Sequence, residues 1–581
     1  MNNNSRKHIL TVEVEDYYHV GTFHKSIQRD YWYRFEKRIE QNVNKALSAL
    51  DLFDIKATFF VLGWVAEKFP ELIKDIADKG HEVASKGFYH RIATDLSQSE
   101  FREDLSQGRE ALENACGREI HGYRVAHRWL RPIDLWVLDV LAEEGYKYDS
   151  SLGLLYNRFS KEPWRRFAHK HRTADEKIIW EFPPSSFKFA RWMFPISGGN
   201  YYRQFPHTII KHAVEHWHRS FKDPFVMYFH IWELDPEQPK INSGSFLSRV
   251  RHYRNLDKMT WVLKDYFQKY NFTNIADYLG LETKPATGRE ERFAAGMILT
   301  AGKGDDNKIE ASPKIPVTVV VPCFNEAANL KYLSNTLKSV EKKLRENYEP
   351  NWVFVDDHSS DNTFEQLTDI FGEYPNCAII RHERNEGVSG AILTGIRMSE
   401  SETVCSIDCD CTYDPHSLTE MIPMLVNDVD LVTASPYHQQ GDVKNVPGWR
   451  LVLSKSASIL YKAVLNQTIS TYTSCFRVYR KSAVVKLKLH HGGFIGVAEL
   501  PCLLHLSGSR LAEYPTILEA RVLGNSSMKI LATIGGHLKL MFFLFGMRIF
   551  SSTKKIGYNK SEPNSVLAED ISQTERPLEQ D

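Results

Sequence analysis

Short apolar runs alternate with amphipathic segments along most of the chain, and this alternation predicts β-strands joined by helices. Apolar runs occur at 9–14 and 57–63 in the first half of the chain and at 317–321 in the second. The segments 70–79 and 329–345 instead carry apolar residues at the spacing of a helix that packs on a sheet. Strands that alternate with helices are typical of parallel sheets, so we expect an α/β protein.

Two polar stretches interrupt this pattern and set the predicted domain boundaries. Residues 283–314 are rich in Gly, Lys, Asp and Ala, which is typical of a linker. Residues 551–581 are polar and have no apolar period, which predicts a disordered tail. We therefore expect two folded units, at 6–282 and 315–550.

Composition and charge exclude several classes of partner. Lys and Arg number 73, as do Asp and Glu, so the net charge is zero and no basic field predicts nucleic-acid binding. The eight cysteines lack a metal-finger spacing, and the first residues lack a signal-peptide pattern. A reducing compartment fits best, and we expect a cytoplasmic protein, with the inner face of the cytoplasmic membrane as a further possibility.

One apolar segment near the end of the second unit predicts membrane contact without a membrane span. The run 538–550 is shorter than the roughly 18 residues that a spanning helix needs, and it contains Lys539 and Arg548. It is typical of an interfacial or core helix. Residues 541–545, flanked by these two charges, are candidates for peripheral contact with a bilayer surface.

Carboxylates follow the predicted strands of the second unit. Glu326, Asp357, Asp408 and Asp410 each come directly after an apolar run. The carboxyl ends of parallel strands meet at the edge where open α/β sheets bind ligands. Oxygen ligands suit Mg²⁺ or Mn²⁺, so this edge is predicted to hold a divalent cation against a diphosphate. The alternative is a polar strand end at which Asp414 only caps the next helix.

Several stretches of the second unit resemble the family 2 glycosyltransferases of the GT-A fold. They are VVVPCFNE, VDDHSSDNT, RNEGVSGAILTGI and SIDCDCTYDP, followed by SCFRVYR, GFIGVAEL and VLGNSSMKI. The similarity is greatest to the polyprenol-phosphate sugar transferases. It implies a Rossmann-like α/β/α domain that moves a sugar from a nucleotide-diphosphate donor to a lipid-phosphate or glycan acceptor in bacterial polysaccharide biosynthesis.

The same resemblance implies roles for particular residues. Asp408 and Asp410 would hold Mg²⁺ or Mn²⁺ on the diphosphate, where a metal neutralises the charge of the leaving group. Glu499 matches an acidic residue that activates the acceptor in many members, or only positions groups if the acceptor is a phosphate. Arg477 is a candidate for a phosphate contact, with a surface arginine as the alternative. The residues expected to line the nucleotide are Pro322, Phe324, Glu326, Val355 and Asp357.

A second acidic strand end lies near the start of the chain, where Glu13, Glu15 and Asp16 follow an apolar run. This region and five later ones resemble the polysaccharide deacetylase family, or NodB-homology fold, in a branch found with bacterial exopolysaccharide loci. The six stretches are TVEVEDYYHV, ATFFVLGWVAEKFPELI, GHEVASKGFYHR, GYRVAHRW, YDSSL and YFHIWELDPEQP. The resemblance covers about residues 8–280 and implies a distorted (β/α) barrel.

The deacetylase resemblance also carries a departure from the family's chemistry. That chemistry needs a metal held by one acidic residue and two histidines, a carboxylate base, and a late histidine that protonates the leaving amine. The resemblance assigns these roles to Glu15, Asp16, His90 and His230. Lys86 stands where the other metal-binding histidine is expected, and a protonated lysine has no lone pair for a metal. We expect Lys86 to occupy the metal's place, paired with Glu15 or Asp16.

Three hypotheses follow for the whole chain. In the first, a transferase is fused to a degenerate deacetylase domain that binds glycan. In the second, both domains are enzymes, the deacetylase holding Zn²⁺ or a similar metal with His127 as a substitute ligand. In the third, the chain is a non-catalytic scaffold of a polysaccharide assembly complex. The complete carboxylate set of the second unit argues against the scaffold.

Overall fold

The computed structural model describes residues 6–552 apart from 25, 128, 154–158, 160, 190–191, 283, 287–313, 427, 466–468 and 525–529. The predicted linker and the predicted tail lie almost wholly outside the described residues. Within the part of the chain that is described, no helix is long and apolar enough to cross a membrane.

The first half of the chain is built on a nine-stranded, mainly parallel sheet. The strands of this sheet are β1 Lys7–Val14, β2 Thr58–Val61, β3 Glu82–Ser85, β4 Gly122–Tyr123, β5 Tyr148–Asp149, β6 His169–Arg172, β7 Ile178–Glu181, β10 Val226–His230 and β11 Asn271–Thr273. Two further strands, β8 Ser186–Phe189 and β9 Trp192–Pro195, form a separate antiparallel hairpin. The order in the sheet is β10-β1-β2-β3-β4-β5-β7-β6, with β11 also paired to β1. Only β6 runs antiparallel to its neighbour.

Helices connect most of these strands. They are α1 Ile39–Asp51, α2 Gly63–Lys68, α3 Pro70–Asp78, α4 Gln98–Cys116, α5 Trp136–Glu143, α6 Asn200–Gln204, α7 His207–Ser220, α8 Phe246–Tyr253, α9 Met259–Phe267 and α10 Ile275–Leu279. Helix α4 shows how local sequence sets the boundaries. Ser97 and Glu100 form a capping box at its start, and Gly117 ends it at a φ of 69°, a conformation that favours glycine.

The second half contains a seven-stranded sheet and a small parallel pair. The strands are β12 Ile315–Cys323, β13 Tyr348–Asp356, β14 Cys377–Arg381, β15 Thr403–Ser406, β16 Val429–Ser435, β17 Asp442–Lys444, β18 Arg477–Arg480, β19 Arg510–Pro515 and β20 Ile517–Glu519. The main sheet has the order β14-β13-β12-β15-β18-β16-β19, and β17 pairs with β20. Only β18 is antiparallel to its neighbours in the main sheet.

Helices cover both faces of this second sheet, as the alternating side chains of β12 show. The helices are α11 Leu330–Leu344, α12 Thr363–Phe371, α13 Val388–Met398, α14 Leu418–Met421, α15 Gly448–Leu465, α16 Lys481–Val484, α17 Gly493–Leu506 and α18 Ile530–Ser552. Val319 and Val321 pack in one buried cluster with Leu333 of α11, whereas Val320 packs in another with Ile396 of α13. The α/β class is confirmed in both halves, and the second half has an α/β/α arrangement.

Candidate active sites at two acidic strand ends

The carboxylates predicted for the second half do meet at one edge of its sheet. Glu326 follows β12, Asp357 follows β13, and Asp408 and Asp410 follow β15. Strand β12 pairs in parallel with both β13 and β15, so the three turns lie side by side at the carboxyl end of the sheet. This is the position at which open α/β sheets bind ligands.

A cation from the same chain joins two of these carboxylates. Nε of Arg521 donates a hydrogen bond to Asp410 at 2.7 Å, and a terminal nitrogen of the same guanidinium donates to Glu326. Burial would lower the pKa of Arg521, but the two carboxylates raise it, so the guanidinium stays charged. The sequence patterns did not point to Arg521, although it directly precedes the VLGNSSMKI stretch.

Asp408 and Asp410 fit a divalent cation that a diphosphate also contacts. Burial raises the pKa of Asp408 to about 7, and the negative charge of Asp410 adds to the shift. The described residues contain no group of three or more His, Cys, Asp or Glu side chains placed to hold a metal. Mg²⁺ is usually held by one or two carboxylates together with substrate phosphates and water, so a two-carboxylate site suits it.

The residues expected around the nucleotide occupy different environments. Pro322 and Phe324 are half-buried at the end of β12, where they remain candidates. Val355 is fully buried in the core between β13 and α13, and its contact with the nucleotide stays a prediction. A valine late in a central parallel strand faces a helix, and this places it beneath the site.

Asp357 is already engaged by the turn that precedes α13. Its carboxylate accepts hydrogen bonds from the backbone N–H groups of Glu386 at 2.8 Å and Gly387 at 2.7 Å, and it pairs with Nδ1 of His382 at 2.8 Å. These bonds fix the turn between β14 and α13. A contact between Asp357 and the nucleotide stays a prediction.

Arg477 and Glu499 lie deeper than their predicted roles require. Arg477 is 1% exposed, and its terminal nitrogens donate to the backbone carbonyls of Val497 and Tyr472, each at 2.7 Å. This burial contradicts the alternative of a surface arginine, and the phosphate contact stays a prediction. Glu499 is fully buried, and its carboxylate accepts the N–H groups of His490 and His491. Its placement matches a positioning role, and direct proton abstraction from an acceptor stays a prediction.

The acidic strand end of the first half is occupied by Lys86. Its ammonium donates to Glu13 and, at 2.9 Å, to Glu15, and all three side chains are at most 3% exposed. Arg124 also donates to Glu13. Nε2 of His90 lies 2.9 Å from the Glu15 carboxylate, and Nδ1 of His230 lies 2.7 Å from it.

The charges in this cluster hold one another in their ionised forms. Burial would raise the pKa of Glu15, but Lys86 and the neighbouring histidines hold it well below its ordinary value. Burial would lower the pKa of Lys86, but Glu13 and Glu15 raise it. The cluster therefore has a charged ammonium at its centre, and a protonated lysine repels a metal cation and has no lone pair to bind one.

Asp16 does not belong to this cluster, contrary to expectation. Its two carboxylate oxygens accept the backbone N–H groups of Tyr17 at 3.0 Å and Arg38 at 2.8 Å. The reason is the alternation of a strand, which turns Glu13 and Glu15 to one face and the next residue away from it. Of the two predicted partners of Lys86, Glu15 is present and Asp16 is replaced by Glu13.

The Lys86 cluster lines a cavity of about 300 Å³. Aromatic side chains of Trp129, Tyr201 and Trp232 share its wall. Within the described residues, Nδ1 of His127 and Nε1 of Trp232 are buried without a hydrogen-bond partner. His127 lies against His90, with ring centroids 4.0 Å apart, but no three-ligand metal group forms there in the described part of the chain. Aromatic faces together with unpartnered polar nitrogens suit an uncharged, hydroxyl-bearing ligand such as a sugar.

Three family models match successive parts of the chain. Polysaccharide deacetylase covers residues 25–148, the domain of unknown function DUF3473 covers 153–280, and glycosyl transferase family 2 covers 318–488. The chain joins a polysaccharide deacetylase domain to a family 2 glycosyltransferase domain. Both resemblances in the sequence are therefore confirmed by the family models.

Two curated relatives match the glycosyltransferase domain. Dolichol-phosphate mannosyltransferase of Pyrococcus furiosus is 29% identical over 215 residues, which are 37% of this chain and 59% of that protein. An uncharacterized glycosyltransferase of Synechocystis sp. is 29% identical over 177 residues, 30% of this chain and 53% of that protein. The chain thus spans between half and three-fifths of the length of these relatives.

Solved structures are similar to each domain at low identity. A structure named as a polysaccharide deacetylase from Mycobacterium smegmatis is 17% identical, with a TM-score of 0.32, and covers 48% of this chain and 91% of its own. Glucosyl-3-phosphoglycerate synthase of Mycobacterium tuberculosis, in complex with Mn²⁺, UDP and phosphoglyceric acid, is 15% identical, with a TM-score of 0.32. It covers 40% of this chain and 79% of its own.

Proposed function

We propose that the glycosyltransferase domain transfers a sugar from a nucleotide-diphosphate donor to a lipid phosphate. The observation that carries this proposal is the meeting of Asp408 and Asp410 with Glu326 at the carboxyl edge of the sheet. The similarity to a dolichol-phosphate mannosyltransferase supports the acceptor class. A bacterial polysaccharide pathway at the inner face of the cytoplasmic membrane is the setting that we infer.

Asp408 and Asp410 are the residues that would hold Mg²⁺ or Mn²⁺. When bound, such an ion neutralises the charge that develops on the leaving diphosphate. Before the donor enters, Arg521 balances the charges of Asp410 and Glu326 and keeps both carboxylates oriented. The chain thus supplies fixed charges at the place where negative charge develops on the leaving diphosphate.

The burial of Glu499 favours a phosphate acceptor over a sugar hydroxyl. A hydroxyl needs a base within hydrogen-bond reach, whereas a phosphate is already anionic and needs none. Glu499 is fully buried and bound to His490 and His491, so it cannot reach an acceptor without leaving those bonds. We therefore prefer the lipid-phosphate acceptor to a glycan acceptor.

A membrane-facing surface on α15 and α18 would bring such an acceptor to the enzyme. The two helices pack through a shared buried cluster, and Tyr461 bonds to His537 at 2.8 Å. Their outward side chains are large and apolar, namely Trp449, Val452, Leu453, Ile459, Leu460, Ile534, Leu538, Phe542 and Phe545. Exposed Lys539 adds positive charge, which suits anionic lipid headgroups. We propose peripheral contact of this surface with a bilayer.

We further propose that the deacetylase domain binds glycan without hydrolysing it. The buried ammonium of Lys86 stands beside Glu15 and His90, where a metal would have to bind. The cavity around it offers aromatic faces and unpartnered nitrogens for a sugar ring. Retention on immobilised N-acetylated glycan, without release of acetate, is the expected result. Acetate release that His90→Ala removes would contradict this assignment.

A donor panel tests the transferase proposal on the full chain. Nucleotide sugars are incubated with polyprenol phosphate, with and without Mn²⁺, and lipid-linked sugar is measured. We expect product only with metal, and a loss of at least a hundredfold in Asp410→Asn, because the cation loses a charged ligand. Asp442→Asn, on an exposed strand outside the carboxylate edge, is the matched control and should leave turnover unchanged. Wild-type turnover in Asp410→Asn would refute the proposal.

A further inference from the structure

The two domains share one apolar core, and it lies beside the transferase carboxylates. Its first-domain members are Tyr17, Tyr18, Phe23, Ile27, Trp32, Phe35, Trp232, Ile241 and Leu256. Tyr332 of α11 and Leu523 complete it from the second domain. Phe35 makes an edge contact with Tyr332 at a centroid distance of 5.1 Å. The contact is therefore a packed joint between the domains.

Arg34 reaches from this joint into the turn that carries Asp410. It is 3% exposed and donates to Oδ2 of Asp414 at 2.9 Å. The other oxygen of Asp414 accepts the backbone N–H of His416, as expected of a cap. The turn 408–414 is thus anchored at its far end by a buried cation of the deacetylase domain, where the sequence predicted a local cap alone.

A second contact from the deacetylase domain fixes the segment that follows Arg521. The backbone N–H of Asn242 donates to the carbonyl of Val522 at 2.7 Å, and its side-chain amide donates to the carbonyl of Gly524. Ile241 and Leu523 form an antiparallel bridge between the two contacts. Arg521 therefore begins a stretch of backbone that the other domain pairs with directly.

We infer that the deacetylase domain is a positioning element of the transferase, acting through Arg34 and Asn242. The inference rests on the proposed transferase function for its catalytic consequence. Arg34 holds the turn that contains Asp410, and Asn242 holds the segment that presents Arg521 to Asp410 and Glu326. Loops left alone sample many conformations, and an ordered site requires that neighbouring groups restrict them.

The deacetylase domain can therefore position the transferase loops whether or not it binds a metal. The polar contacts are made by Arg34 and Asn242 and do not involve Lys86, Glu13 or Glu15. Replacement of a metal ligand by Lys86 therefore leaves the joint intact. The same arrangement implies that residues 315–552 expressed alone would lose order at 408–414 and 519–524.

Variants of the full chain test the inference. Arg34→Ala removes the ion pair, Arg34→Lys keeps the charge, and Asn242→Ala removes the bond to Gly524 while keeping the backbone pairing. Lys331→Ala is the matched control, because Lys331 bonds to Glu36 at 2.7 Å across the same joint but is exposed and contacts neither loop. Thermal unfolding of each variant verifies that it is folded.

Hydrogen exchange of the two loops is the readout that needs no ligand. We expect exchange of the 408–414 peptide to rise at least tenfold in Arg34→Ala and of the 519–524 peptide in Asn242→Ala, with partial rescue in Arg34→Lys. Lys331→Ala should match wild type. Unchanged exchange in folded Arg34→Ala and Asn242→Ala would overturn the inference.

Turnover and binding separate this inference from the proposed function. Because small misplacements of catalytic groups cost up to a hundredfold in rate, we expect kcat to fall about tenfold in Arg34→Ala, with the KM for the donor within twofold. Calorimetric titration with Mn²⁺ in the presence of UDP or GDP should show weaker metal binding in the same variant. If wild type transfers no sugar, the proposed function fails, while changed loop exchange in the variants still supports positioning.

Discussion

Replacing Lys86 by histidine should give the deacetylase domain a metal site that wild type lacks. In wild type the ammonium of Lys86 lies 2.9 Å from Glu15, and Nε2 of His90 lies at the same distance from that carboxylate. Nδ1 of His230 lies 2.7 Å from the other oxygen of Glu15. Lys86→His replaces the ammonium by an imidazole beside Glu15 and His90, so that two histidines and one carboxylate surround the position that the ammonium occupied. That set is a common open zinc site, with the remaining position left to water.

The size of the expected change in stability follows from the buried carboxylates that Lys86→His leaves without their ammonium partner. Removing one partner of a buried ion pair costs about 3–5 kcal/mol, so metal-free Lys86→His should be less stable than wild type by roughly that amount. Bound Zn²⁺ restores positive charge between Glu15 and its neighbours. At a free zinc concentration of about 100 times Kd, binding returns about 2.7 kcal/mol. For a domain of this size that corresponds to a rise in Tm of roughly 5–10 °C.

Elemental analysis and thermal unfolding with and without Zn²⁺ measure this directly. We expect no stoichiometric zinc and no zinc-dependent Tm in wild type, and one equivalent with a raised Tm in Lys86→His. Lys86→Met is the matched control, because it removes the ammonium without adding a ligand. One equivalent of zinc in wild type, lost on His90→Ala, would refute the reasoning about Lys86. If folded Lys86→His binds no zinc, the arrangement of ligands that we infer around residue 86 is wrong.

Three further predictions concern charge and surface. The stability that Glu15 contributes is complete above its ordinary pKa of 4.5 and is lost as pH falls toward its lowered folded value, so urea midpoints should fall as pH drops below about 4.5, and this fall should be smaller in Lys86→Met, where the ammonium no longer lowers that pKa. Glu499→Gln should lower turnover less than tenfold if the residue only positions His490 and His491, and a loss above a thousandfold would assign it the role of base. Phe542, 78% exposed on α18, should promote flotation with anionic vesicles, and Phe542→Asp should abolish it while Ile517→Asp, exposed outside that surface, should not.

The carboxylates that follow the strands were predictable, because the carboxyl ends of parallel strands lie at the same edge of a sheet. A buried parallel strand reads as a continuous β-branched run, and its last residue marks the edge where the site lies. Glu326, Asp408 and Asp410 were located in this way, and the register of β12 with β15 places their turns side by side. The same rule could not say which side chains are buried, so the burial of Val355 was not predictable from it.

The cations that complete each site were harder to predict. Arg521 is 111 positions from Asp410 in sequence, and Arg34 is 380 positions from Asp414. No local pattern relates residues so far apart, because their proximity depends on how later segments return to the sheet and how the two domains pack. Lys86 was found only because it replaced an expected histidine. Of its two alternative partners, Glu15 is the one observed, and the additional bond to Glu13 was not predicted.

The two acidic strand ends differ in how deeply the cation bound to their carboxylates is buried, and this difference bears on whether each site can accept a metal. Lys86 is 2% exposed and its partners Glu13 and Glu15 are 2% and 3% exposed, so a competing metal would have to displace a buried charge. Arg521 is 19% exposed, and its partners Asp410 and Glu326 are 13% and 12% exposed. A guanidinium can exchange one carboxylate for a diphosphate when a metal enters, because it binds both anions through the same paired N–H donors. We therefore predict that the deacetylase site excludes metal while Lys86 is charged, whereas Arg521 of the transferase site can be displaced.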